Sequence, residues 1–320
     1  MSSRVLVTGA NGFVGKALCE LLVDNEMSVK GAIRRDVGIS VWNDRVDLIS
    51  VGDIDAHTDW IPALKNVDCI VHLAARVHVM SETASSPLDE FRRVNTLGTE
   101  KLARDAATAG VKRLVYLSSI KVNGEETCGT PFNEHVDHAP VDPYGLSKWE
   151  AENSLRQISS ETGMEVVIIR PPLVYGPGVK GNFLTLLKCV SKGFPLPLAN
   201  VKNKRSLVAL TNLVDLISEC VVNPRAAGET FLVSDGKDLS TADLIKTIAL
   251  AMEKPPRLIS VPLPLLNIGA ATVGKKGVAR RLLASLQIDS SKACQILGWS
   301  PPCSIEHEIE QVVGWFRREY

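Results

Sequence analysis

Three residues could carry a reaction together. Ser119 closes the apolar run "KRLVYLSS" (112–119), and Tyr144 and Lys148 stand four apart in "YGLSK". Positions i and i+4 share one helix face. An ammonium beside a phenol favours the phenolate and draws the tyrosine pKa down toward neutrality. A serine hydroxyl at a neighbouring strand end can bond a substrate oxygen. Such a set moves one proton on and off an oxygen, as carbonyl–alcohol interconversion requires. The hydride would have to come from a nicotinamide. Tyr-x-x-x-Lys alone is a common surface pair on helices, so its meaning depends on what surrounds it.

The surrounding pattern is regular. Buried-type apolar runs at "RVLVTG", "SVKGAIR", "VDLISVGD", "VDCIVHLAA", "KRLVYLSS" and "MEVVIIRPP" alternate with helical spacing. Helices are expected at "KALCELLVDN", "FRRVNTLGTEKLARDAATAG" and "YGLSKWEAENSLRQISSETG". This alternation predicts an α/β fold: a Rossmann-type doubly wound parallel sheet with right-handed crossovers. After Gly176 glycine and proline become frequent, and shorter elements follow, among them a strand in "ETFLVSD" and a helix in "STADLIKTIALAMEK". We read residues 1–175, plus about 205–235, as a nucleotide-binding domain. Residues 176–204 and 236–320 make a smaller, interleaved C-terminal substrate lobe.

"TGANGFVG" lies between the first strand and the first helix, with Gly9, Gly12 and Gly15 spaced G-x-x-G-x-x-G. The first two let the backbone turn and approach a pyrophosphate, and the third lets helix and strand pack closely. The helix N-terminus then offers amides and partial positive charge to phosphate. Asp53, after the third strand, would lie near an adenine, and "HLAA" (72–75) ends the fourth strand in small residues beside which a cofactor could lie.

The bulk numbers exclude several classes. The 320 residues, 45% hydrophobic with 36 basic and 36 acidic side chains, have no charge bias toward nucleic acid or an anionic membrane. Seven scattered cysteines form no C-x-x-C pair, which suits reduced thiols in a cytoplasmic protein. The N-terminus has no signal-peptide pattern, and no apolar run is long enough to span a bilayer. His135 and His138 are three apart in a proline-bounded loop with no third ligand beside them, so no metal site is expected. "GKKGVARRLLASL" is basic and partly amphipathic and reads as a substrate-side segment whose cations meet phosphate.

Taken together, "TGANGFVG", "GDI", "HLAA", "VNTLGT", "LSSIKVNGE", "YGLSK", "RPPLVYGPG" and "RSLVALTNLVDLI" resemble the extended short-chain dehydrogenase/reductases of the NAD-dependent epimerase/dehydratase family over essentially the whole chain. The resemblance implies catalytic places for Ser119, Tyr144 and Lys148. It implies cofactor contacts from Gly9, Asn11, Gly12, Phe13, Val14 and Gly15, from Asp53 and Ile54, and from Leu73, Ala74, Ala75 and Asn95. Tyr144, Lys148, Pro171 and Pro172 would also touch the cofactor. A UDP-linked sugar is the implied partner, with Arg205, Asn182 and Arg280 toward its diphosphate, and a homodimer would form through the two long helices.

The chain departs from the common family pattern near the sugar. Lys121 follows the serine, Asn123 replaces a tyrosine, and Leu173 replaces an asparagine. These departures are similar to a bacterial subgroup that reduces UDP-4-keto-6-deoxy-N-acetylglucosamine for surface polysaccharide. Ile33 occupies the usual ribose-binding acidic position, and Arg34 and Arg35 follow it. Arginines there welcome a 2′-phosphate, so NADP(H) is favoured over NAD(H), with Asp36 able to swing in. The expected activity is therefore NADPH-dependent C4-keto reduction. The alternatives are a UDP-glucose or UDP-N-acetylglucosamine 4-epimerase holding NAD and, outside catalysis, an NADP-sensing regulator.

Overall fold

Apolar runs near the N-terminus become strands buried on both faces. In the computed structural model, which describes residues 3–35, 45–77, 86–136, 138–262, 264–266 and 276–320, the chain runs β1 (Arg4–Thr8), α1 (Phe13–Asp24), β2 (Ser28–Ile33), β3 (Val46–Ser50), α2 (Ile61–Leu64), β4 (Cys69–His72) and α3 (Pro87–Phe91). A π-helical turn (Arg92–Leu97) leads into α4 (Gly98–Thr108). Then come β5 (Arg113–Leu117), α5 (Pro143–Thr162), β6 (Glu165–Arg170), β7 (Leu173–Tyr175), α6 (Gly181–Ser191), β8 (Leu207–Ala209), α7 (Leu210–Val222), β9 (Thr230–Leu232) and α8 (Thr241–Ala251). Helices Lys276–Leu283, Ser291–Leu297 and Ile305–Glu319 follow.

Seven strands form one sheet in the order β3-β2-β1-β4-β5-β6-β9, every pair parallel. Strand periodicity divides the side chains between two cores. Val5, Val7, Val115, Val167 and Ile169 face α1 and α7, whereas Leu6, Leu114, Tyr116, Val166 and Ile168 face α4 and α5. This is the doubly wound sheet expected of the alternating pattern. A third core joins α6, α8 and the final helix to the two-stranded sheet β7–β8 through Phe183, Leu187, Ile245, Ile248, Ile309 and Val312. The strand anticipated in "ETFLVSD" is β9, which pairs with β6.

The long helix expected over 91–110 is broken by the π turn, which contains Asn95. The break has a local cause. Asn95 is fully buried, and its amide closes a ring with Arg76, accepting from the backbone N–H at 2.8 Å and donating to the carbonyl at 3.0 Å. It also donates to Ser147 Oγ at 3.0 Å. Satisfying both ends of a buried amide inside a helix costs one register shift of the helix ladder.

The outward surfaces of α4 and α5 carry ion pairs, among them Arg104 with Glu161 at 3.1 Å and Lys101 with Asp105 at 2.8 Å. Among the described residues no helix is long and apolar enough to cross a membrane. The seven cysteines are free.

One polar stack crosses the second core. His72 at the end of β4 lies 5.7 Å from the Tyr116 ring, and Lys148 Nζ lies 4.5 Å above the other ring's centroid. Thr8 Oγ1 accepts from the Leu73 and Ala74 amides, so its own proton goes to His72 Nδ1, 2.7 Å away. Nε2–H therefore donates to Thr99 Oγ1 at 3.0 Å. Burial, aided by the Lys148 charge, pushes the His72 pKa down to about 3. An unfolded chain takes up this proton below about pH 6.5, and the folded one refuses it. Stability should thus fall with pH through that window, by roughly 2 kcal/mol between pH 7 and 5 from this group. Denaturant titrations of the parent and His72→Gln should show the variant's pH slope flatter by that amount; equal slopes would refute the assignment.

Candidate active site

The site is built where β1, β4, β5 and β6 end. Ser119 caps the short 3₁₀ turn Ile120–Val122, its Oγ accepting from the Lys121 amide at 3.3 Å. Ser119 also draws the pKa of the Tyr144 phenol downward. Tyr144 sits in the first turn of α5, which starts sharply. Asp142 is the N-cap and accepts from the Gly145 amide at 2.8 Å, and Pro143 supplies the preset φ of the first helical residue. Gly145 is required for contact: a Cβ there would lie 2.6 Å from the Lys121 carbonyl oxygen. The serine turn and the tyrosine helix are thus pressed together backbone to backbone.

Lys148, one turn on, is buried at 2% exposure and donates to the Leu117 carbonyl at 2.9 Å. Tyr144 and Lys148 share a helix face, and the ammonium turns toward the β5 end and the Tyr116 ring. Burial pushes the Tyr144 pKa up to about 12, against a lowering influence of Ser119, and the Asp142 charge adds to the rise. Burial likewise draws Lys148 down to about 7, opposed by the charge of Glu152. In this state Tyr144 is a proton donor and Lys148 is poised to gain or lose charge near neutrality. The Phe91 ring, edge-on at 5.8 Å, closes one side of Tyr144.

A cleft of about 540 Å³ opens at the switch between β1 and β4. Its walls include Gly9, Asn11, Arg34, Arg35, Asp53, Ile54, Ala74 and Ala75, all anticipated, and Ile33, placed from sequence at the ribose-binding position; Val51, Arg76 and Arg93 were not anticipated. The cradle suits a dinucleotide. Gly9 has φ +66°, and a Cβ there would meet Ala74 backbone at 3.0 Å; one on Gly15 would lie 2.2 Å from the Gly9 oxygen. Helix α1 begins with Gly12 as its N-cap, no side-chain cap and no acidic residue in its first turn. Its amides are left for an anion. Other anticipated positions do structural work. Phe13 packs against the first and third cores, Leu73 and Val14 against the first, and Asn95 closes its ring with Arg76. Gly12 and Gly15 shape the loop. Pro171 and Pro172 are buried just after β6, the Pro171 carbonyl accepting from the Ile120 amide at 3.0 Å.

Arg34 Nε lies 3.1 Å from Asp53 Oδ1, with both side chains more than 60% exposed. A pair so exposed contributes at most about 1 kcal/mol, so an entering ribose or phosphate can part it. Arg35 lines the same cleft. Asp36 lies outside the described residues.

A second pocket of about 220 Å³ is lined by Leu173, Asn182, Phe183, Leu186, Leu196, Leu198, Arg205, Leu244 and Arg281. Arg205 is part-buried and donates to the Arg281 and Ala284 carbonyls at 2.8 and 3.2 Å. It has no carboxylate partner among the described residues, and burial lowers its pKa. Such a cation is set for an anionic ligand. Arg280 is placed elsewhere: it pairs with Glu125 at 3.3 Å and Glu126 at 3.0 Å, and its neighbour Arg281 lines the pocket in its stead. Asn123 spends its amide on the protein, donating to the Asn133 and His135 carbonyls and accepting from Arg170. Lys121 is held by Asp142 at 3.1 Å and Glu125 at 3.3 Å. Among the described residues no group of three or more His, Cys, Asp or Glu side chains could hold a metal.

Known proteins resemble this chain in sequence and in fold. The chain is 46% identical to a UDP-glucose 4-epimerase of Vibrio cholerae over 99% of its length and 96% of the relative's. It is 27% identical to an N-acetyl-alpha-D-glucosaminyl-diphospho-ditrans,octacis-undecaprenol 4-epimerase of Escherichia coli O157:H7, over 98% and 96% of the two chains. In fold it matches a UDP-glucuronic acid 4-epimerase from Bacillus cereus solved with NAD, at TM-score 0.80 and 21% identity over 99% of both chains. The model of the NAD dependent epimerase/dehydratase family matches residues 5–234, and the chain belongs to that family.

Proposed function

We propose that the protein is a UDP-hexose or UDP-N-acetylhexosamine 4-epimerase that works through NAD(H). The observation that carries this is a dinucleotide cradle at the β1–β4 switch, with Tyr144 and the buried Lys148 on one face of α5, in a chain 46% identical throughout to a UDP-glucose 4-epimerase. A nicotinamide dinucleotide held in the cleft lined by Gly9, Asn11, Asp53 and Ala74 would supply reversible hydride transfer at C4 of the sugar. Tyr144 holds the proton that leaves and rejoins the C4 oxygen, and Ser119 orients that oxygen. Lys148, charged, supports the phenolate interval. Arg205 and Asn182 in the second pocket take the diphosphate end, within a substrate lobe of residues 176–204 and 236–320. The chain acts as a homodimer through α4 and α5, and sedimentation at micromolar concentration should give twice the chain mass; a monomer there would exclude it.

Tyr144→Phe should lower kcat by about 10²- to 10⁴-fold while cofactor binding survives. Lys148→Met should do the same and abolish the alkaline limb of the kcat/KM profile. Retained turnover in Tyr144→Phe would remove Tyr144 as the proton carrier.

The two arginines support a second reading, NADPH-dependent reduction of a UDP-4-keto-6-deoxy-N-acetylhexosamine. Denaturing the purified protein and identifying the released nucleotide separates the two. Retained NAD with no preference for NADPH in titrations is the expected result, and UDP-galactose should then be converted. An exchangeable site preferring NADPH, with preference lost in Arg34→Ala/Arg35→Ala, would overturn it in favour of the reductase. Binding of NADP(H) without turnover of either sugar would leave a sensor.

A further inference from the structure

A pair of buried charges behind the catalytic helix is not used by the proton chemistry. Glu152, one turn beyond Lys148 on α5, is 0% exposed, and Arg170, the last residue of β6, is 1% exposed. Arg170 Nε donates to Glu152 Oε1 at 2.9 Å and its Nη2 to Oε2 at 2.6 Å. Ser118 Oγ donates to Oε1 at 2.6 Å, and Arg156 reaches in from the surface to Oε2 at 2.9 Å. Arg170 Nη1 continues to the Asn123 carboxamide oxygen at 3.2 Å and the Glu134 carbonyl at 2.9 Å.

Net stability is a weak reason for such a pair. Desolvating both ions offsets most of their attraction, and an apolar pair of equal volume often does as well. Its placement gives a better one. Ser118 adjoins Ser119, and α5 carries both Tyr144 and Lys148. One carboxylate therefore ties the serine turn to the helix bearing its two partners. It also sets a full negative charge one helical turn from Lys148.

We propose that Glu152 is a positioning residue for the reaction, holding Ser119 in register with α5 and keeping Lys148 in its charged form at the site. This rests on the reading that Tyr144 and Lys148 handle the proton. The charged and titratable groups facing the pair are Arg170 from β6, Tyr116 from β5, His72 from β4, and Arg156 and Tyr144 from α5. Burial works against ionisation of Glu152, but the bonds and charge of Arg170, with Ser118 and Arg156, more than offset it and hold the carboxyl below its ordinary value. The carboxylate is present wherever the enzyme would work, and it opposes the loss of the Lys148 proton.

The test compares Glu152→Gln, Glu152→Asp and the Tyr144→Phe control, following UDP-galactose conversion from pH 5.5 to 10. Glu152→Gln should lower kcat about tenfold or more with little change in KM, and move the alkaline limb down by about one pH unit or more. Glu152→Asp should restore the limb. An unmoved limb in Glu152→Gln beside an inactive Tyr144→Phe overturns the proposal, whereas an active Tyr144→Phe overturns the reading beneath it. If Glu152→Gln melts below the assay temperature, Ser118→Ala carries the test. It leaves the ion pair intact and should lower kcat severalfold at constant KM; an unchanged kcat there also overturns the proposal.

Discussion

The site depends on the reversal of winding between β1 and β4. Chain leaving β1 crosses toward β2 on one side, and chain leaving β4 crosses toward β5 on the other, so the loops at their C-terminal ends must part. The gap they leave is the dinucleotide cleft. Its floor closes only because Gly9 lets the first loop reach Ala74 of the second without a Cβ between them. Thr8 and His72, paired across the same two strands, pin those strand ends with one hydrogen-bonded chain. The winding thus leaves the space, and small or polar residues at two strand ends set its width.

A second constraint follows from where the lysine must sit. A cation with 2% exposure is costly unless its donors are met. Here the Leu117 carbonyl and the Tyr116 ring meet them, and His72 stays neutral behind that ring. A ring face over an ammonium gives attraction without a formal counter-charge. The arrangement leaves Lys148 close to its titration point instead of locking it in a salt bridge. A residue meant to respond to charge developing on a neighbouring phenol is better placed there than in direct contact with a carboxylate.

Much of this was legible in sequence because it rests on local rules. Gly9, Gly12 and Gly15 announce a close backbone approach, and Tyr144 and Lys148 announce a shared helix face. Continuous apolar runs announce a sheet covered on both sides. Side-chain heads were less legible. The four-residue spacing could not say that Lys148 would turn to Leu117, since that depends on β5 ending beside it. Arg280 and Arg281 are equivalent by composition, and only the carboxylates of Glu125 and Glu126, far off in sequence, decide which one leaves the pocket. Asn95 carried a cofactor expectation, but the nearness of the Arg76 backbone gave it a structural task and broke the helix at that point. Glu152 and Arg170 gave no signal beyond a charge in an amphipathic helix and one at a strand end; their meaning appears only when β6 is laid beside α5.

The departures from the family pattern near the sugar now separate into two kinds. Asn123 and Lys121 are absorbed by the protein. Asn123 stitches the loop at 133–135 to Arg170, and Lys121 clamps the N-cap of α5 through Asp142. Both amide protons of Asn123 are spent and the Lys121 ammonium is held by two carboxylates, so neither argues for an unusual substrate. Leu173 is different. It is 38% exposed and lines the second pocket beside Phe183 and Leu186, where a polar side chain would have offered a hydrogen bond. On the proposed reading, recognition at this end would fall to Arg205 and Asn182 for charge and polarity, and to apolar contact for the rest. Discrimination by apolar contact alone is shallow, about 1–3 kcal/mol for a methylene-sized difference. On the proposed reading, a pocket of this composition would hold the diphosphate through Arg205 and read the groups next to Leu173 loosely. Selectivity among sugars would then come mainly from the fit at Ser119 and Tyr144.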